Sequence, residues 1–340
     1  MKVLVTGGAG YIGSHVVRQL GEAGHAVVIL DNLSTGRADA ILRGELVVGD
    51  LGDRALVDQL FIQHRFDAVL HFAASIVVPE SVTRPLKYYG NNLRNTLGLL
   101  EACAEHGVER FIFSSSAAVY GEPGVGEVDE DTPLAPINPY GASKAMSERL
   151  ITDLAAASPL RYVILRYFNV AGADPKGRIG QSTPTATHLI KLACQAALGL
   201  RQGLDIFGTD YPTPDGTCIR DYVHVEDLAQ AHSAALDHLA NGGTSITLNC
   251  GYGRGYSVQE VVEMVRKVAG VDFEARAKSR RAGDPAKLIS SNSRILETLN
   301  WRPAHDSLKE IVTDALRWER ALASTALKPD VGTWSAETRP

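Results

Sequence analysis

Two kinds of hydrophobic pattern alternate along the first half of the chain. Short apolar runs, Lys2-Val-Leu-Val-Thr6, Ala26-Val-Val-Ile-Leu30, Glu45-Leu-Val-Val-Gly49, Asp67-Ala-Val-Leu-His-Phe72 and Glu109-Arg-Phe-Ile-Phe113, read as strands. Between them, stretches near Ser14–Ala23, 53–64, Tyr88–His106 and 140–155 read as helices, the last capped by Asn138 with Pro139 at its first position. Strand and helix in alternation predict an α/β fold, a Rossmann-type doubly wound parallel sheet. From about Asn169 the pattern loosens. It predicts a loop over Ala171–Gly177, an apolar helix over 186–199, a strand over Leu204–Phe207 and a loop over Asp215–Arg220. A strand over Asp221–Val225, a helix over Glu226–Leu239 and a strand over Ser245–Asn249 follow. After them come a helix over Val258–Ala269 capped by Ser257, a strand over Phe273–Ala277 and a last helix over 306–322. The expected division is a large domain over 1–168, to which 221–246 returns. A smaller α/β substrate-binding domain covers 169–322, mainly 169–220 and 247–322, and a loosely packed tail covers 323–340.

The turn after the first strand is Gly7-Gly-Ala-Gly10-Tyr-Ile-Gly13. Strand, glycine turn and helix together give the glycine motif its specificity. Gly7 and Gly10 allow a tight turn and the approach of a pyrophosphate, Gly13 lets helix and strand pack closely, and the helix N-terminus faces the phosphates. Asp31 ends the second strand, where a carboxylate accepts from ribose hydroxyls and repels a 2′-phosphate, so NAD is expected rather than NADP. Asp50-Leu51 ends the third strand, Ala73-Ala-Ser75 the fourth and Ser114-Ser-Ser116 the fifth. Carboxyl ends of parallel strands are where such sheets hold ligands.

Tyr140-Gly-Ala-Ser-Lys144 places a phenol and an ammonium four residues apart, on one helical face. A nearby cation favours the phenolate and brings the tyrosine's pKa down, which suits it to take and return a hydroxyl proton. An ordinary amphipathic helix can carry the same pair; the glycine turn and the triple serine give it a chemical setting.

Composition narrows the partners. The chain has 340 residues, 45% of them hydrophobic, enough for a large domain with a smaller companion. Net charge is -5 with no basic block, which argues against nucleic acid, so an anionic ligand needs local arginines. Cys103, Cys194, Cys218 and Cys250 are far apart and form no metal spacing, as expected of reduced thiols in a cytoplasmic protein. No apolar run approaches the ~20 residues of a membrane span, and a chain opening directly on a strand is expected to lack a signal peptide.

The glycine motif, Ser114-Ser-Ser-Ala-Ala-Val-Tyr-Gly121 and Tyr140-x-x-x-Lys144 together resemble the extended short-chain dehydrogenase/reductase family. Leu30-Asp-Asn-Leu33, Glu80-Ser-Val, Tyr88-Tyr-Gly-Asn-Asn92, Leu165-Arg-Tyr-Phe-Asn-Val170, Ile206–Thr213 and Asp215–Tyr222 extend the likeness to its UDP-glucose 4-epimerase branch, over residue 1 to about 320. The resemblance implies that Gly7, Gly10, Tyr11, Ile12, Gly13, Asp31, Asn32, Asp50, Leu51, Phe72, Ala73, Ala74, Asn91, Ser114, Tyr140, Lys144 and Phe168 hold NAD. It implies that Tyr140, Lys144 and Ser116 are catalytic, with Ser116 on the sugar O4 and Lys144 on the nicotinamide ribose. It further implies that Ser116, Tyr140, Asn169, His188, Leu189, Asp205, Ile206, Phe207, Arg220, Tyr222, Arg281, Asp284 and Leu288 meet a UDP-sugar. Arginine forks suit diphosphate oxygens and a carboxylate suits ribose hydroxyls, which singles out Arg220, Arg281 and Asp284. The implied reaction oxidises C4, turns the 4-keto sugar over and reduces it on the other face. Ala117 and Ala118 stand where related dehydratases carry an Asp-Glu pair and related decarboxylases a Glu. Alanine transfers no proton, so those reactions are disfavoured.

Three positions depart from the pattern: Thr187-His188-Leu189 replaces Asn-Asn-Leu, Ile76 replaces a cation beside the cofactor, and Leu288 takes the position that gates the sugar's 2-substituent. Leucine there disfavours N-acetylated sugars. His71 is read as structural, and Trp301-Arg-Pro303 as packing beneath the substrate domain. The resemblance also implies a homodimer through the helices near 88–106 and 140–155. Two other readings remain open at this level: the same chemistry on UDP-xylose/UDP-arabinose or on N-acetyl or uronic UDP-sugars, and a catalytically idle NAD-binding sensor.

Overall fold

Side chains alternate across a strand, and here the alternation sorts each apolar run onto the two faces of one sheet. The computed structural model describes residues 1–124, 126–183, 186–281 and 284–326; the expected tail lies, beyond Ala326, outside them. The chain opens with β1 (Lys2–Thr6), α1 (Tyr11–Glu22), β2 (Ala26–Asp31), β3 (Glu45–Val48), α2 (Arg54–His64) and β4 (Ala68–His71). Two short helices, α3 (Val78–Thr83) and α4 (Pro85–Tyr88), lead through a π-helical turn at Tyr89–Arg94 into α5 (Asn95–Glu105). Then come β5 (Arg110–Ser114), β6 (Glu127–Val128), α6 (Pro139–Ala157), β7 (Arg161–Tyr167), β8 (Asn169–Ala171), α7 (Leu189–Ala197), β9 (Leu204–Phe207) and β10 (Ile219–His224). The chain ends with α8 (Val225–Ala240), β11 (Ile246–Cys250), β12 (Gly255–Ser257), α9 (Val258–Ala269), β13 (Ala275–Lys278), β14 (Lys287–Ser290), α10 (Ser293–Thr298) and α11 (Leu308–Ala326).

The large sheet has the order β11-β7-β5-β4-β1-β2-β3, parallel throughout. Val3, Val5, Val27, Ile29, Leu70 and Ile112 pack with α1 and α8 on one face. Leu4, Val28, Leu30, Val69, Phe111 and Phe113 pack with α2, α5 and α6 on the other. Strand order reverses between β1 and β4, and that switch point opens the crevice where such sheets hold ligands. Trp301 belongs to this core rather than beneath the smaller domain: it is fully buried under α8 and donates to Asp227 O at 2.9 Å.

The smaller unit holds the sheet β12-β10-β14-β6, with β8 against β10, and the pair β13-β9. Helices α7, α9 and α11 enclose its core of Ile190, Val261, Val265, Ile311 and Leu316. Contrary to expectation, the strand at Asp221–His224 does not return to the large sheet. Its neighbours are β8, β12 and β14. The return is made by α8, whose Leu228, Ala231 and Leu236 join the large core, and by β11 beside β7. Local sequence can mark β10 as a strand but carries no information about which edge it pairs with.

Candidate active site

The crevice floor is built where the turn after β1 meets the chain leaving β4. Phe72 and Ala73 donate their amides to Thr6 O at 2.9 and 3.1 Å. Gly7 (φ 72°) lies so close that an added Cβ would stand 2.8 Å from Ala73 Cα, and one at Gly13 would run into Gly7 O. Only glycine permits this approach and this conformation. Gly10 opens α1 with no side-chain cap, so the first amides of the helix are free for an anion. Tyr11 donates to Gly172 O at 2.7 Å, tying α1 to the smaller unit, and Ile12 and Phe72 pack against the large core. Asp31 is buried at the end of β2, where it accepts from Ala9 N (2.9 Å) and Leu33 N (2.8 Å). Asn32 donates to Asp50 at 2.8 Å, Asp50 also accepts from Gly52 N, and Leu51 packs on the opposite core. Ala73 and Ala74 are half-buried, and Ile76 is exposed.

The helix expected over Tyr88–His106 is broken by the π turn, and the break has a use. It turns Asn91 and Asn92 toward Ser75: Asn91 donates to Ser75 Oγ at 3.1 Å. Asn92 accepts from Ser75 N (2.7 Å) and donates to Ser75 O and to Ser143 Oγ (3.0 Å each). Asn92 was not among the expected residues; the Asn-Asn pair in a helical stretch, where asparagine is a poor former, was the available signal. His71 is structural, as read: Nδ1 meets Thr6 Oγ1 at 2.6 Å and Nε2 meets Thr96 Oγ1 at 2.9 Å. Burial pushes it down to about 3, so it stays neutral.

Helix α6 begins as read, with Asn138 Oδ1 accepting from Gly141 N at 2.9 Å and Pro139 following. Gly141 has no room for a side chain against Ala118 O, and this close approach sets Tyr140 beside Ser116. Ser116 Oγ accepts from Ala118 N at 3.2 Å, which leaves its proton free to turn toward the neighbouring Tyr140 phenol, an influence that acts to lower the phenol's pKa. Lys144 is buried. Its Nζ donates to Ser114 O at 2.7 Å and lies 4.8 Å over the Phe113 ring. Burial pushes Lys144 down to about 7, opposed by the Glu148 charge, and raises Tyr140 above its ordinary value. Desolvation, opposed by Ser116, thus raises the phenol where the cation was expected to lower it. Tyr167, also missed, reaches Ser114 Oγ with its hydroxyl and senses the Tyr140 charge. Phe168 joins a cluster with Ala117, Tyr120 and Leu288.

Across the crevice, β8 brings Asn169 opposite Tyr222. Both line a cavity with Tyr11, His188, Leu189 and Lys191. His188 Nδ1 faces Gln181 Nε2 at 2.8 Å; an amide N–H only donates, so the ring proton sits on Nε2. Arg220 pairs with Asp284, and Leu288 stands beside Arg220 on the neighbouring strand. The Arg281 guanidinium lies 3.7 Å over the Phe207 ring. One expected substrate residue faces elsewhere: Ile206 points with Leu204 into the helical core. Asp205 shares the other face of β9 with Phe207, where it pairs with Arg276 at 3.0 Å. The free amides of α1 can hold a dinucleotide's phosphates, and the Arg220 and Arg281 guanidinium groups offer forks to a second anionic ligand.

A model of the NAD dependent epimerase/dehydratase family matches residues 3–251. A UDP-glucose 4-epimerase of Azospirillum brasilense is 59% identical over 322 residues, 94% of this chain and 92% of that protein. The structure of a UDP-glucose 4-epimerase from Brucella ovis in complex with NAD is 44% identical, with a TM-score of 0.90 over 93% of this chain and 98% of that one. A UDP-glucose-4-epimerase from Stenotrophomonas maltophila, with bound NAD and formylated UDP-arabinopyranose, is 40% identical, with a TM-score of 0.92 over 96% of this chain and 99% of that one.

Proposed function

The chain belongs to the NAD dependent epimerase/dehydratase family, and from that premise we infer an isomerase that inverts C4 of UDP-glucose and UDP-galactose reversibly, through a 4-keto sugar. The observation that carries the site assignment is the buried Tyr140/Lys144 pair on α6, with Lys144 Nζ on Ser114 O at the carboxyl end of β5. The cradle fits NAD: glycines lie where a Cβ would collide, and α1 starts with free amides. In our reading Gly7, Gly10 and Gly13 hold the pyrophosphate, and Asp31, Asn32 and Asp50 the adenosine end. Ser75, with Asn91 and Asn92 behind it, lines the middle. Bound NAD accepts the C4 hydride and returns it, so no net redox occurs.

Tyr140 takes the O4 proton and gives it back, and Ser116 orients that oxygen. Lys144, titrating near 7, bonds the nicotinamide ribose and supplies positive charge beside the phenol. Asn169, His188 Nε2, Arg220 and Arg281 anchor the diphosphate. Asp284 takes the uridine ribose, and Phe207 offers a flat apolar face. Firm anchoring of UDP and few bonds to the hexose let the keto sugar turn over. Leu288, packed with Ala117 and Phe168, narrows the sugar pocket, which supports plain hexoses over N-acetylated ones.

Exposed Val82, Leu86, Leu97 and Met146, on α3 to α6, support a homodimer through these helices. Four free, buried cysteines support a cytoplasmic setting, and among the described residues no helix is long and apolar enough to cross a membrane. The test is a UDP-sugar panel assayed without added NAD on purified protein, with light scattering for the dimer. Conversion of UDP-galactose with NAD released on denaturation is expected; a protein that carries no NAD and converts no UDP-sugar overturns the reading.

A further inference from the structure

The face of α6 that carries Tyr140 and Lys144 continues one turn further to Glu148, which is buried. Each of the three meets a different member of the serine run that ends β5. Ser116 neighbours the Tyr140 phenol and acts to lower its pKa, Ser114 O accepts from Lys144 Nζ, and Ser115 Oγ donates to Glu148 Oε1. The last backbone bond of this run to the sheet is Ser115 N to Leu165 O at 2.9 Å. Beyond it, the side-chain grip on Ser115 is what precedes Ser116.

Glu148 is held in turn by Arg166 on β7, whose Nε lies 3.1 Å from both carboxylate oxygens and whose Nη2 lies 2.6 Å from Oε2. Arg166 Nη1 donates to the Tyr120 hydroxyl at 3.0 Å, and Tyr120 donates to Asn249 Oδ1 at 2.7 Å. Asn249 Nδ2 donates to Val128 O at 2.9 Å, on β6, which pairs with β14. On β14, Leu288 stands beside Arg220 of β10. One buried polar chain therefore runs from the acid/base helix to the strands on the opposite wall of the crevice. Buried ion pairs give stability little advantage over apolar packing, but their directional bonds do specify position.

We propose that Glu148 is a positioning residue: through Ser115 and Arg166 it holds the Ser114–Ser116 strand end against Tyr140 and Lys144, in register with the strands that carry Leu288 and Arg220. The inference rests on the reading of Tyr140 and Ser116 given above. The Glu148 charge also acts on Lys144, favouring its ammonium against burial.

The test compares steady-state conversion of UDP-galactose by Ser115→Ala, Glu148→Gln, the double variant Glu148→Gln/Arg166→Met and Tyr140→Phe, with thermal midpoint and NAD content measured for each. Ser115→Ala, which loses one hydroxyl, should lower kcat about tenfold while KM and NAD content stay put and the midpoint falls less than in Glu148→Gln; misplacement of a reacting group acts on turnover. Glu148→Gln should lower kcat further and also the midpoint, because Arg166 loses its counter-charge. The double variant removes both charges and should recover the midpoint without recovering kcat. Recovery of kcat together with the midpoint, or an unchanged kcat in Ser115→Ala, overturns the proposal. Should the double variant stay unstable, Ser115→Ala decides alone. A Tyr140→Phe protein that still turns over sinks the acid/base assignment instead. An inactive Tyr140→Phe beside a fully active Ser115→Ala sinks only the role of Glu148.

Discussion

Replacing Lys144 by methionine should stabilise the protein at pH 7 while abolishing turnover. The lysine is 3% exposed, and burial brings its ammonium from an ordinary 10.5 down to about 7. The unfolded chain therefore holds that proton to a pH at which the folded protein has released it. A depressed lysine destabilises, with the full penalty below pH 7 and relief as pH rises from 7 to 10.5. The difference, 10.5 less 7, is worth about 5 kcal/mol at 1.36 kcal/mol per unit. Methionine fills the same channel uncharged but loses the 2.7 Å bond to Ser114 O and the contact with the Phe113 ring. Those losses together cost about 2–4 kcal/mol. Net stabilisation of about 1–3 kcal/mol is expected at pH 7, shrinking and changing sign toward pH 10. Urea unfolding of both proteins at neutral pH and near pH 10 measures it. A methionine variant less stable at pH 7, or a difference that ignores pH, refutes the reasoning.

Tyr140→Phe keeps the ring in place and leaves Ser116 bonded to Ala118 N, so NAD content and midpoint should hold while kcat falls by about 10²–10⁴; an unchanged rate removes the phenol from the chemistry. Arg281→Ala should weaken UDP binding by about 1–3 kcal/mol, read as a rise in KM and in the calorimetric Kd with kcat little changed; an unaltered UDP affinity contradicts the clamp. Burial works against the Glu226 carboxylate, yet bonds from His15, Arg18 and Gln19 hold it down to about 2. Its contribution is present above pH 4.5 and is lost as pH falls toward 2. Acid unfolding of Glu226→Gln should therefore show a shallower loss of stability over that interval than the parent; an identical slope argues that other carboxylates carry it.

Much of the site was legible because local chemistry demands particular residues. The turn at Gly7–Gly13, the Asn138-Pro139 start of α6 and the Tyr140/Lys144 spacing are rules about neighbours in the chain, and the structure keeps each of them. The parallel sheet followed for the same reason, since continuous apolar runs separated by helices leave one arrangement that buries both faces. Neither the partner of β10 nor the pairing of Asp205 with Arg276 could be read, because pairing joins segments far apart in sequence. Tyr167 and Asn92 escaped for a related reason: which side chain of a strand or of a π turn faces the crevice depends on what packs behind it. The balance at Lys144 and Tyr140 was likewise settled by depth of burial, which outweighs the Glu148 charge at the lysine and the influence of Ser116 at the phenol. The sequence by itself determined the order of elements and the chemistry of the strand ends. Tertiary structure alone decided how those ends meet and how dry they are, because both depend on long-range pairing and on the exclusion of water.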